Sequence, residues 1–145
     1  MTTRDSEHDI MASEEPIERP QLTLRLLPER LAICQLHRDA PFPTWACRGD
    51  FYSLTLTPNE LSIVCAEENV PADLPCDAGW RVLSSPGPWG FTLTGLVESL
   101  AEPLALAGIS IFVVSTYTTD YVMVKQNDLN IAMVTLKAAG HIVQV

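Results

Sequence analysis

The chain is poor in positive charge, in paired cysteines, in histidine and in long apolar runs. Nine Lys and Arg stand against 18 Asp and Glu in 145 residues, a formal charge of −9. A protein that binds nucleic acid or an anionic membrane non-specifically needs a basic footprint, so no nucleic-acid and no membrane partner is expected. No stretch is long and apolar enough to read as a membrane span, and the acidic N-terminus has no signal-like apolar core. The four cysteines, Cys34, Cys47, Cys65 and Cys76, never form a C-x-x-C pair. A tetrahedral zinc site draws ligands from such pairs, so no metal is expected, and free thiols in a reducing cytoplasm are. The histidines are only His8, His37 and His141, and no nucleophile elbow, phosphate loop or dinucleotide fingerprint occurs. The reading is therefore of a protein that is not an enzyme, with no catalytic residues and no cofactor. A Cys34/His37 pair is the one enzymatic alternative.

What is present starts with an acidic tail. Residues 1–20 carry six acids against Arg4 and Arg19 with almost no apolar content, which predicts disorder. Two strands, Leu22 to Leu27 and Arg30 to Leu36, flank Pro28-Glu29. A proline-rich loop with one short helical turn follows, Ala40 to Asp50. Tyr52 to Thr57 and Leu61 to Ala66 are β-prone runs around Pro58-Asn59-Glu60, hence a hairpin. Val70 to Gly79 reads as a connection.

The second half opens on a strand, Trp80 to Ser84, and the loop SPGPWG. Leu96, Val97, Leu100, Leu104 and Ala107 then follow helical spacing, predicting a helix over Thr94 to Ala107 that Gly108 stops. Ile109 to Thr116 and Tyr121 to Lys125 form a second hairpin. Asn127 is positioned to cap a helix over Asp128 to Ala139 with Leu129, Ala132, Met133 and Leu136 on one face and Gly140 at its end. Ile142 to Val145 is a last strand. The order is β-α-β-β-α-β, an α+β ferredoxin-like unit. A shift of 60 residues lays Thr57 to Cys65 on Tyr117 to Lys125 and Glu60 on Asp120. The first half thus reads as a degenerate copy, its helices reduced to stubs around Thr44 and Glu68. The expected division is a tail (1–20), a degenerate unit (21–79) and a complete one (80–145).

Two local features could carry chemistry. Gly95 opens a helix, where free N–H groups and the helix dipole favour an anion such as a carboxylate, and Glu98 could accept an ammonium group. Together they suit a zwitterion; alternatively Gly95 only starts the helix and Glu98 balances its dipole from solvent. Asp120 closes the polar stretch Ser115 to Asp120. It either satisfies its own turn or receives a ligand's amino group beside Thr116 and Tyr117.

The continuous passage FTLTGLVESLAEPLALAGISIFVVSTYTTDYVMVKQNDLNIAMVTLKAAG, Phe91 to Gly140, resembles the ACT-domain proteins related to the cytosolic arginine sensors called CASTOR. The shared features are Thr-Gly-Leu at the helix start, Pro-Leu and Ala-Gly-Ile-Ser-Ile after it, Ser-Thr-Tyr-Thr-Thr-Asp at the turn, and Val-Lys followed by Asp-Leu before the second helix. Residues 21–79 are compatible with the N-terminal unit of that family. The resemblance implies tandem ACT units with antiparallel sheets, the first degenerate, and regulatory binding of an amino acid or similar small zwitterion between units. It implies that Gly95 and Leu96 present backbone and that Glu98 faces the ligand's amino group. Thr116, Tyr117 and Asp120 would line the site from the hairpin, and Ser110 and Ile111 would close it from a neighbouring unit. The sensors hold four units in one chain and this chain holds two, so a homodimer and an unnamed downstream protein are expected, in the cytoplasm. The alternative is a structural dimerisation or protein-interaction module with a vestigial pocket.

Overall fold

The computed structural model describes residues 21–86 and 93–145, with only the backbone described at 86 and 93–97. The acidic tail and Trp89 lie outside the described residues. Among the described residues eight strands form a single sheet: β1 (Thr23–Leu26), β2 (Leu31–Leu36), β3 (Ser53–Leu56), β4 (Leu61–Ala66), β5 (Cys76–Pro86), β6 (Ile111–Ser115), β7 (Thr119–Lys125) and β8 (Ile142–Gln144). Among the described residues two helices, α1 (Leu93–Leu106) and α2 (Leu129–Ala138), follow β5 and β7. Where the first half could hold helices it has single 3-10 turns, Thr44–Ala46 and Glu67–Asn69, the stubs that the repeat implied.

The long strand β5 organises the sheet. One of its edges pairs with β7 from Trp80 to Pro86, and β6 lies beyond β7. Its other edge takes two strands in succession, both antiparallel: β2 against Cys76 to Trp80, then β1 against Leu83 and Ser84. Pro28 lies in the break between β1 and β2, in the segment 27–30, where it gives up no ladder hydrogen bond. Residues 76–79, expected as connection, are therefore strand. The shift needed there coincides with Gly79 at φ +80, a conformation open to glycine.

Strand β1 also pairs, in parallel, with β8. The ferredoxin-like unit β5-α1-β6-β7-α2-β8 thus holds a strand from the chain's first described residues between β5 and β8. The sheet is antiparallel except at this one pairing. It also runs without interruption through position 79/80.

Both helices end as their glycines predict. Ile109 N–H donates to Leu104 C=O at 2.9 Å across Gly108 (φ +74), and His141 N–H to Leu136 C=O at 3.0 Å across Gly140 (φ +98). The start of α2 differs from expectation. Gln126–Asp128 make a 3-10 turn, and no side chain caps the helix. Leu129, Ala132 and Leu136 of α2 and Leu100 and Leu104 of α1 bury against Leu22, Leu24, Leu83, Val122 and Val124. Ala107 is exposed instead, and Ser99 is buried although its spacing put it off the apolar face. A second cluster, around Leu31, Val64, Trp80, Val82 and Met123, includes Phe51 edge-on to Tyr121 with ring centroids 4.9 Å apart.

Candidate functional site

Alternation along β7 puts Asp120, Val122 and Val124 on one side, and Val122 and Val124 belong to the core beneath the helices. Asp120 is therefore a carboxylate at a core position, 4% exposed. Two serines stand directly opposite it, Ser85 of β5 and Ser115 of β6. The Ser115 hydroxyl donates to Asp120 Oδ1 at 2.7 Å. Ser85 is also buried. A row of three polar side chains thus crosses β5, β7 and β6 where the apolar core ends. Among the described residues Asp120 has no cationic partner.

The turn does not need Asp120. Thr116 N–H donates to Thr119 C=O at 2.9 Å, and Thr119 N–H donates to Thr116 Oγ1 at 3.2 Å. With the turn closed by Thr116, Asp120 lies inside the strand rather than ahead of it. This removes the default of a carboxylate serving its own turn.

The first hairpin makes the same turn one position out of the expected register. Thr57 N–H donates to Glu60 C=O at 2.9 Å, as Thr116 does to Thr119. The first cross-strand pair beyond it is Leu56 with Leu61, in the place of Ser115 with Asp120. The offset between the hairpins is therefore 59 rather than 60 (116 − 57 and 119 − 60). Glu60 corresponds to Thr119, and the counterpart of Asp120 is a leucine.

The other expected site residues separate into three groups. Ile111 packs against the helix-side core from β6, and Glu98 is half-buried on α1. Gly95 and Leu96 lie in the first turn of α1, described by backbone alone. Ser110, Thr116 and Tyr117 face outward, and Tyr117 is fully exposed, so it forms no ring wall within one chain. Sequence reasoning missed Ser85 and Ser115. Ser85 could have been found from Leu83 by the two-residue period, and Ser115 from its place across the hairpin.

Ser115 and Thr116 also border a hollow of about 260 Å³ with Asp50, Phe51, Tyr52, Ser53, Val114 and Tyr121. A second hollow of about 210 Å³ continues it between β3 and β6, under Ser53, Thr55 and Ser62. Ser115 is common to both hollows and to the polar row. The enzymatic alternative rests on a buried thiol. Burial, then the neighbouring Cys65 and Cys76 thiols, push the Cys34 thiol up to about 12. His37 is exposed, and its Nδ1 accepts from Asp39 N–H at 3.1 Å.

A model of the ACT domain matches residues 76–138, and a model of an N-terminal domain matches residues 29–73. This is an ACT-domain protein. The bovine protein named cytosolic arginine sensor for mTORC1 subunit 1 is 33% identical over 101 residues, which is 61% of this ACT-domain chain and 30% of that one. The chain therefore corresponds to under a third of that relative. A solved protein from Agobacterium tumefaciens is 40% identical, with a TM-score of 0.81 over 86% of this chain and 92% of the other. The regulatory subunit of aspartate kinase from Thermus thermophilus shares the fold at 14% identity, with a TM-score of 0.58 over 80% of this chain and 95% of that one. The β-α-β-β-α-β reading is thus the ACT ferredoxin-like fold.

Proposed function

We propose that this ACT-domain protein is a regulatory module that binds a small zwitterion, an amino acid, and acts as a homodimer. The observation that carries the proposal is Asp120: a buried carboxylate with a single neutral hydrogen-bond donor and no cation beside it among the described residues. Burying a charge without a partner is costly, and a ligand's ammonium group supplies that partner. The backbone of Gly95 and Leu96, at the start of α1, receives the carboxylate. Glu98 shares the amino group, and Ile111 walls the side chain. Ser110, Thr116 and Tyr117 face solvent in one chain, so a second copy closes the site over them. The name of the arginine sensor supports an amino acid as the ligand class and the cytosol as the compartment. The signal passes to a downstream protein through a change at the dimer surface.

The test is a thermal-shift screen of the full chain against the proteinogenic amino acids, with sedimentation to read the oligomer. One amino acid or a narrow group stabilises the chain, by about 2.7 kcal/mol at a hundredfold excess over Kd. Asp120→Asn and Gly95→Val abolish the response. A flat screen on a dimeric wild-type protein overturns ligand binding and leaves a structural dimerisation module.

A further inference from the structure

The four cysteines are scattered in sequence, but three of them meet on one face of the sheet. Cys34 of β2 stands directly opposite Cys76, the first residue of β5. Cys65 of β4 is opposite Ala32, one step diagonal to Cys34. The Cys65 and Cys76 thiols lie close enough to Cys34 to add to the rise that burial imposes on its thiol. Cys34 and Cys65 are buried, whereas Cys76 is exposed, and all four thiols are free.

Residues directly opposite in an antiparallel pair hold their Cα atoms about 4.5–5.5 Å apart, with side chains on the same face. That lies within the roughly 4.4–6.8 Å that a disulfide spans. The diagonal pair, at roughly 7–8 Å, lies outside it. The geometry therefore favours one bridge among the three thiols, and accessibility gives it an order of events.

We propose that Cys34 and Cys76 form an oxidisable dithiol, which a hydroperoxide converts to a cross-strand disulfide stapling β2 to β5. The Cys76 thiolate attacks one peroxide oxygen, the O–O bond breaks, and Cys76 becomes a sulfenic acid with release of hydroxide. The Cys34 sulfur then attacks the Cys76 sulfur and the S–O bond breaks. The Cys34 proton leaves with that oxygen as water. In sum, two thiols and one hydrogen peroxide give one disulfide and two waters. Cys76 is exposed and Cys34 is buried, so the peroxide meets Cys76 first and Cys34 resolves. Cys65, buried and diagonal, takes no part. The bridge joins the first half of the chain to the start of the ACT unit, and dithiol exchange reopens it.

The full reduced chain is treated with one equivalent of hydrogen peroxide, alkylated, digested without reduction and mapped by mass spectrometry. Two of the four thiols are expected to be lost, with the Cys34 and Cys76 peptides linked and Cys47 and Cys65 alkylated. Dimedone added with the peroxide traps Cys76, and dithiothreitol restores all four thiols. Cys76→Ser, at an exposed position, keeps its remaining thiols through the same treatment, while Cys65→Ala still forms the link. A Cys34–Cys65 link, a Cys76–Cys76 link between chains, or Cys76 passing to sulfinic acid with Cys34 still free overturns the proposal.

Discussion

Ser115 donates a 2.7 Å hydrogen bond to Asp120 across the β6–β7 pair, in the position that Leu56 and Leu61 fill in the first hairpin. The same turn therefore leads into an apolar pair in one half of the chain and a polar pair in the other. An apolar pair is the simpler way to end a strand pairing against a core. A carboxylate held there costs stability that a function has to justify.

Replacing the polar pair by its counterpart in the other hairpin separates these roles. Ser115→Leu combined with Asp120→Leu is expected to melt at or above the wild-type temperature and to lose all response to amino acids. Ser115→Ala alone strips the carboxylate of its donor and costs about 1.5–3 kcal/mol in urea unfolding. A double variant that melts well below wild type would show the polar pair to be structural.

His141 was unassigned in the sequence and proves to be a tie between three segments. Its Nδ1 accepts from Leu22 N–H at 3.1 Å, and its Nε2 lies 2.9 Å from Ser99 C=O, which suits the neutral tautomer with the proton on Nε2. His141→Ala leaves a buried donor and a buried acceptor without this partner, each worth about 1–3 kcal/mol. Chemical denaturation should show the loss, with little change in the denaturant slope. A loss under 0.5 kcal/mol would mean that water replaces the ring, on the order of a surface change.

The insertion of β1 predicts that the ACT unit does not fold without it. A fragment of residues 76–145 lacks Leu22 and Leu24, both wholly buried, and the strand that pairs with β8. It should show no cooperative melt by circular dichroism, where the same chain from residue 21 does. Within the full chain, Leu24→Ala should cost about 2–5 kcal/mol.

Stability should fall in alkali through the buried thiols. The folded state raises Cys34 from 9.0 to about 12, chiefly by burial, and raises Cys65 for the same first reason. A thiol that ionises later in the folded state favours folding fully below its unfolded value. That contribution erodes as pH climbs from about 9 towards 12, because the unfolded chain loses its proton first. Cys34→Ala should flatten this part of the pH–stability curve relative to wild type. Equal slopes for the two proteins would show that Cys34 does not contribute.

Much of this architecture was legible locally. The two-residue period marked the hairpins, the spacing of Leu100 and Leu104 or of Leu129, Ala132 and Leu136 marked the helices, and Gly108 and Gly140 marked their ends. The lost helices of the first half were legible too. The apolar face of α1 was read less well, since Ser99 is buried and Ala107 is not. In the site, Asp120 was singled out but placed in the turn, and its serine partners were missed. Composition shows that a polar residue is near a turn, but not which strand face it takes.

By itself the chain's pattern determined its elements, their order and the absence of a basic footprint, because these follow from periods of 2 and 3.6 and from charge. Tertiary structure alone decided that Leu22 meets His141 across 119 positions, that Leu24 lies beside Val143, and that Cys34 faces Cys76. Every strand edge offers the same backbone donors and acceptors. Which edge takes which strand is settled only when the whole core packs. That choice put the buried Asp120 carboxylate on the strand face it shares with Val122 and Val124, and so turned a polar turn into a candidate site.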